Sequence, residues 1–177
     1  MHEADTVTTD HGKVPRGEGW YVLNAREAVW QHAPGFGGSD CNFQGEGHFD
    51  EVGFHLGVLQ PGEPACMYHR EDNQEGFLIL QGECTLIVEG EERTMHAWDF
   101  FHCPPGTGHV LVAAGNEPCV AIAFGSRATR GTVYPVDEVA ARHGASVERE
   151  TTSPEEAYAG TPDFVDGPAP PLPALGS

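Results

Sequence analysis

Basic residues are scarce in this chain: 9 Lys and Arg stand against 27 Asp and Glu, a formal net charge of -18 over 177 residues. Such a surface repels phosphate backbones and anionic lipid, which argues against nucleic-acid and membrane-surface partners. Solubility is the plainest use of the charge. Long apolar runs are also lacking, and no segment reaches the length of a membrane span. The opening stretch MHEADTVTTDHGK has neither an apolar core nor a small-residue cleavage site, so no secretory signal is read there. The five cysteines (Cys41, Cys66, Cys84, Cys103 and Cys119) form no Cys-x-x-Cys pair, which removes the zinc knuckle and the thioredoxin motif. They are expected as reduced, mostly buried thiols of a cytoplasmic protein. Gly-rich phosphate loops and Ser/His/Asp frames are missing as well. So are internal repeats and any helix–strand alternation, which argues against a Rossmann-type sheet.

What is present is a rhythm of short β-prone runs. From residue 62 to 124 they recur at 65–69, 75–81, 84–89, 93–96, 99–103, 109–113 and 119–124. Turn chemistry separates them, as in Glu89-Gly90, Pro104-Pro105-Gly106 and Gly115-Asn116-Glu117-Pro118. Two further strands are expected, near 41–44 and at 52–59. In the latter Phe54, Leu56 and Val58 share one face and His55 takes the other, as a surface or inter-sheet histidine. Many short strands with such turns predict an all-β, antiparallel sandwich or barrel. One domain is expected at this length. Residues 1–19 read as a flexible arm and 20–135 as the barrel with its N-terminal strands, core 54–124. Within that unit 20–23 is a β-prone run, and 25–31 is expected as one helical turn carrying Val29 and Trp30.

Residues 136–177 read as a helix and a Pro-rich tail. The helix runs over 137–143, capped by Gly144. A second helical turn opens at Ser153 as N-cap, with Pro154 in first position and Glu156 completing a capping box. The tail carries Phe164, Val165, Leu172 and Leu175. It is expected to lie along the barrel or a partner subunit, or to be a plain disordered tail.

The stretch 61–82, PGEPACMYHREDNQEGFLILQG, holds the densest group of metal-capable side chains. His69, Glu71 and Glu75 can all bind a divalent cation, with Gln74 as an assistant. In an extended chain His69 and Glu71 share a face, while Tyr68 and Arg70 take the other. Glu75 joins His69 if Asp72-Asn73-Gln74 stays extended. A later segment, WDFFHCPPGTGH, is a strand ending in a Pro-Pro-Gly turn that delivers His109 onto the next strand. Histidines 96 and 102 lack partner spacing and read as structural, and Cys103 reads as a small core residue.

Together these two segments resemble the cupin family. Its first motif is written G-x5-H-x-H-x3,4-E-x6-G. Gly62, Glu75 and Gly82 fit it, with Tyr68 and Arg70 in the two histidine slots. His69 stands one place out of register. With the shorter allowed loop before Glu75, His69 becomes the first ligand and Glu71 the second. The second motif is G-x5-P-x-G-x2-H-x3-N. Pro104, Gly106 and His109 fit it, while Trp98 replaces its first Gly and Ala113 its Asn. The resemblance implies a double-stranded β-helix, the jelly-roll barrel, in a homodimer with a metal in the barrel mouth.

His69, Glu75 and His109 make a two-histidine, one-carboxylate set suited to one divalent transition metal (Zn, Mn or Fe). Glu71, as a fourth ligand, adds negative charge and favours Zn or Mn. The other reading is a barrel without metal, in which these groups are ordinary hydrogen-bonding residues. Function divides accordingly. One class is a metal-dependent enzyme of dioxygenase, isomerase or decarboxylase type acting on a small polar molecule. The other is a non-enzymatic module that binds a small-molecule ligand or a metal. An open metal position with converging polar groups favours the first; a closed four-ligand site favours the second.

Overall fold

The computed structural model of the chain describes residues 2–45, 47–128 and 131–173. In chain order, β1 (Asp5–Thr9) and β2 (Gly12–Arg16) form an antiparallel hairpin. Then come β3 (Trp30–Ala33), β4 (Gly38–Cys41), β5 (Val52–Leu59), β6 (Arg70–Glu71) and β7 (Glu75–Gln81). The second half supplies β8 (Glu83–Val88), β9 (Glu91–His96), β10 (Phe100–Cys103), β11 (His109–Ala114), β12 (Cys119–Ser126) and β13 (Thr132–Val133). Two short helices, α1 (Glu138–Arg142) and α2 (Pro154–Ala157), precede β14 (Val165–Gly167).

Two antiparallel sheets face each other as a jelly roll. One runs β10-β7-β12-β5-β4-β3-β14 and the other β11-β8-β9. The segment before β6 extends the smaller sheet without regular pairing. Ala65 donates to the Leu111 carbonyl at 2.9 Å, and isolated bridges join Pro64 to Val112 and His69 to His109. The strand expected over 65–69 is therefore an irregular edge. Between the sheets lie Leu59, Phe77, Ile79, Leu86, Met95 and Leu111. Each such buried side chain contributes roughly 1.5–3 kcal/mol. Glu89 and Gly90 both have positive φ, 49° and 75°, as a two-residue hairpin of mirror-image type requires; they join β8 to β9.

The alternation in β5 was legible, but its inner and outer faces were not. Leu56 and Val58 face outward, against Trp30, Cys41 and Val120, under a cover that includes Leu23 and the tail residues Ala169 and Leu172. His55, Gly57 and Leu59 face the interior cavity. His55 thus takes the inter-sheet alternative of its reading, half-exposed in the cavity between the sheets.

Other expectations need correction. Residues 1–19, read as an arm, contain the β1–β2 hairpin: the β-prone run Thr6–Thr9 pairs across the Asp10–His11 turn with 12–15, Val7 opposite Val14. The helical turn expected at 25–31 is a turn at 25–27 followed by β3, since Trp30 is wholly buried in the outer cluster. Of the alternatives for the tail, it takes the one along the barrel: Val165–Gly167 lies antiparallel to β3. Leu175 falls outside the described residues. Helix α1 has Asp137 as N-cap, with Gly144 just past the end at φ 68°. At α2 Ser153 caps Glu156 as expected, but the reciprocal half of the box is absent. The Ser153 amide donates to Thr151 Oγ1, whose hydroxyl in turn donates to Glu156 Oε2 at 2.6 Å. All five cysteines are unpaired, and all but Cys66 are buried. Among the described residues no helix is long and apolar enough to cross a membrane.

Candidate metal centre

The two histidines meet because their backbones do. His69 donates to the His109 carbonyl at 3.2 Å and His109 returns a bond to the His69 carbonyl at 2.9 Å. Residues paired this way in an antiparallel ladder carry their side chains on the same face. Their ring centroids are 4.8 Å apart. Each Nδ1 is engaged by a carbonyl two residues upstream: His69 by Met67 O at 2.9 Å, His109 by Thr107 O at 3.1 Å. A carbonyl only accepts, so each Nδ1 carries the proton and each Nε2 presents its lone pair. Such outer hydrogen bonds fix ring orientation at metal sites.

Glu75 comes from the other sheet, at the start of β7, between Cys103 of β10 and Gly125 of β12. A Cβ on Gly125 would stand 3.2 Å from Glu75 Cγ, so the glycine leaves the carboxylate its place. Ligand atoms of His69, Glu75 and His109 all lie within 4.8 Å of one another. His109 Nε2 is 3.4 Å from Glu75 Oε2, and both atoms are buried without a hydrogen-bond partner. Native interiors seldom leave such groups unpaired, because each costs roughly 1–3 kcal/mol. Two neighbouring orphaned acceptors, one imidazole and one carboxylate, are a donor set that fits a divalent cation.

The electrostatics agree. Burial, reinforced by the neighbouring Glu71 charge, raises the Glu75 carboxyl to about 7. Burial, with His69 beside it, lowers the His109 imidazole to about 4. Neither group is readily charged here unless a cation compensates. Phe77 and Phe101 wall His109, with ring centroids at 5.1 and 5.9 Å.

The structure brings three of the four sequence candidates together. Glu71 stands to one side, its Oε1 3.9 Å from His69 Nε2. Gln74 is exposed on the loop and takes no part. Tyr68 and Arg70 point away as parity requires, Tyr68 buried against Ile87 and Val110, Arg70 exposed. His96 and His102 are exposed on strands outside the site. Cys103 is buried, with its sulfur 3.4 Å from His109 Nδ1.

The centre opens on a cavity of about 430 Å³ inside the barrel. Its walls are mainly apolar, with Phe36, Leu59, Phe77, Leu111 and Phe164 among them. Among the polar groups that share those walls with His69 and Glu75 are His55 and Asp40, whose Nδ1 and Oδ2 atoms are 3.0 Å apart. Sequence reading assigned neither a role. The signal available was the parity of β5, which set His55 apart from Leu56 and Val58.

The family model for the cupin domain matches residues 55–125, and that segment is a cupin domain. No curated protein matches the chain. Among solved structures, the chain is similar to a cupin protein from Bacteroides fragilis. Identity is 19% and the TM-score 0.44, over 50% of this chain and 75% of that one. It is also similar to an RmlC-like cupin from Shewanella frigidimarina, at 20% identity and TM-score 0.47, over 56% and 85%. A third likeness, at 27% identity and TM-score 0.44, is to an Acidithiobacillus ferrooxidans protein provisionally named a sugar phosphate isomerase. It covers 47% of this chain and only 54% of that one.

Proposed function

We propose that this cupin domain holds one divalent transition metal (Zn, Mn or Fe) on His69, Glu75 and His109, with Glu71 closing in as a fourth ligand. We further propose that it acts as a metal-dependent enzyme on a small molecule in the adjoining cavity. The observation that carries the reading is the orphaned pair His109 Nε2 and Glu75 Oε2, facing each other at 3.4 Å beside His69. Three protein ligands leave coordination positions for a reacting molecule. A cation there supplies Lewis acidity toward a carbonyl or hydroxyl oxygen.

The chain's own residues do the rest. The Met67 and Thr107 carbonyls hold the imidazoles in register. Phe77 and Phe101 exclude water around His109. The isomerase type suits this site better than the oxidative ones, because an acid–base pair, His55 and Asp40, faces the same cavity. A second reading, a non-catalytic small-molecule-binding module, draws support from the largely apolar walls. Elemental analysis of protein purified without added metal tests the centre. Stoichiometric metal in wild type that is lost in His109→Ala supports it; equal content in both rejects it.

A further inference from the structure

The cavity has a second polar pole that the metal ligands do not explain. His55 on β5 and Glu75 on β7 both face inward from strands flanking β12, which opposes His55 with Ala123 and Glu75 with Gly125. These small residues leave open space between the two poles. His55 Nδ1 lies 3.1 and 3.0 Å from the two Asp40 carboxylate oxygens. Asp40 reaches it from β4, where it is paired with Gly57 of β5. The carboxylate accepts the Nδ1 proton and leaves the Nε2 lone pair as the basic atom of the neutral ring.

Charge also restricts what can bind. No Lys or Arg is among the described residues lining this cavity, whereas Asp40 and Glu75 both are. Away from the metal end, a phosphorylated or carboxylated substrate would have no cationic side chain to hold its charge. The apolar walls and the volume of about 430 Å³ suit a small neutral molecule.

We propose that the cavity takes a small neutral carbonyl compound and that His55, positioned by Asp40, moves a proton at the carbon next to the carbonyl. This deepens, and rests on, the reading of the site as a metal-dependent enzyme. In the step, the His55 Nε2 lone pair takes the proton from the α-carbon. The C–H electron pair moves into the new C=C bond. The carbonyl π pair goes to oxygen, whose charge grows at the His69–Glu75–His109 end. Returning a proton to the same carbon gives exchange with solvent. Where the α-carbon bears a hydroxyl, that hydroxyl's proton passes to the former carbonyl oxygen, the new C=O forms at the α-carbon, and protonation of the adjacent carbon gives isomerisation. No oxidant or reductant is needed. His55 is the catalytic residue and Asp40 a positioning residue, which stabilises the imidazolium as it forms. The charged groups acting on His55 are Asp40 and Glu75, which favour its protonated form, and Arg127, which opposes it.

The test uses the full chain loaded with Zn(II), with hydroxyacetone as the neutral probe and pyruvate as its anionic counterpart. Proton NMR in D2O follows the loss of α-hydrogen signal. Expected is exchange of hydroxyacetone well above buffer, with pyruvate far slower. His55→Gln should lower the rate at least tenfold while zinc content and melting temperature hold. Asp40→Asn should lower it less and move the acid limb of the pH profile to lower pH, because the carboxylate no longer favours the imidazolium. No exchange of hydroxyacetone by zinc-replete wild type, equal rates in wild type and His55→Gln, or a preference for pyruvate would each overturn the proposal. Nitrogen-15 NMR of the metal-free protein reads the His55 ring separately. The Nδ1–H tautomer in wild type, weakened in Asp40→Asn, supports the pairing, and an Nε2–H tautomer in wild type overturns it. Failure to take up zinc at all would sink the metal-centre reading, and with it the catalytic proposal. That outcome is distinguishable from a zinc-replete protein that does no exchange.

Discussion

The ring of Phe164 lies where a side chain on Gly37 would begin: a Cβ built there would be 2.7 Å from the ring's tip. Gly37 has φ 83° and sits in the turn between β3 and β4, so glycine serves both the turn and the contact. Through it the C-terminal segment closes over the cavity that Phe164 helps to line.

The described part of the tail is held at several points. His32 Nε2 meets the Pro168 carbonyl at 2.9 Å, and Arg26 donates to the carbonyls of Leu172 and Pro173 at 3.1 and 2.6 Å. Deleting residues 160–177 should therefore lower the melting temperature by roughly 5–10 °C, for a loss of a few kcal/mol. It should also raise binding of an apolar dye to the exposed cavity. Calorimetry and dye fluorescence check this; an unchanged melting temperature would mean that the strap contributes nothing.

A second glycine makes a sharper test. Gly76 of β7 opposes Phe124 of β12, and a Cβ on Gly76 would meet the Phe124 ring at 2.5 Å. Phe124 in turn stacks on Phe100 of β10, with centroids 6.2 Å apart. One ring thus covers a gap left by glycine across neighbouring strands. Gly76→Ala should destabilise by about 1–3 kcal/mol through overpacking, and Gly76→Ala with Phe124→Leu should recover part of it. A urea midpoint for Gly76→Ala at or above wild type would contradict this packing.

The sequence made the barrel legible where local chemistry agreed with the fold. Glu89-Gly90 had to be a tight turn, and the Pro-Pro-Gly turn had to deliver His109 to the start of β11. His69 was legible as a metal-capable residue, but its register was settled by a backbone pairing with His109, 40 positions along the chain, that no local pattern encodes. Parity placed Glu75 with His69 only if residues 72–74 stayed extended; they bend instead, and Glu75 reaches the site from the facing sheet, paired with Cys103 and Gly125. Parity could not tell inside from outside in β5. Both faces of that strand are covered, the outer one by segments remote in sequence, Trp30 and Leu172 among them. His55 was therefore seen but given no part in a site, and Asp40, on the four-residue β4, was passed over.

The homodimer remains a proposal, with altered grounds. Tyr21 and Leu23 turn inward, Tyr21 bonding the Phe43 carbonyl at 2.7 Å, while Trp20 and Val22 stay exposed. Trp98 and Phe100 are also exposed, at and just before the terminal strand β10. An unpaired strand edge beside large apolar side chains suits two-fold association. Light scattering at micromolar concentration should give twice the 19.0 kDa chain mass; a single-chain mass would reject the dimer.

Glu75 gives the metal-free protein a pH signature. Its carboxyl is raised from 4.5 to about 7 by burial, so the folded state binds the proton more tightly than the unfolded one. The stability this contributes is full below about 4.5 and is lost as pH rises through about 7. His109 runs the other way. Lowered from 6.5 to about 4, it costs stability as pH falls through that interval. Glu75→Gln removes only the first effect. The variant should gain on wild type between pH 4.5 and 7, by on the order of 2 kcal/mol, and hold that gain above pH 7. Denaturant unfolding with chelator at pH 4.5 and 8 measures it, and parallel curves would show that Glu75 ionises freely.

With metal the sign inverts. Binding requires Glu75 ionised and both histidines neutral, so affinity should fall as pH drops below about 7 and protons compete. Native-state binding raises stability by mass action, about 2.7 kcal/mol at a hundredfold excess over Kd. Chelation of wild type at pH 8 should then lower the melting temperature by several degrees. His109→Ala removes one of the two histidine ligands and should bind far more weakly, with little left to lose on chelation. Glu75→Gln, stabler than wild type without metal, should be the less stable protein in its presence. Glu71→Gln should weaken binding less than either, since Glu71 stands outside the group of three and 3.9 Å from His69 Nε2. His96→Ala should match wild type, because His96 lies exposed on β9. The measurement is zinc content and melting temperature for all five proteins, with and without chelator. If Glu75→Gln keeps its advantage in the presence of zinc, the orphaned carboxylate has some other partner and the metal centre is wrong.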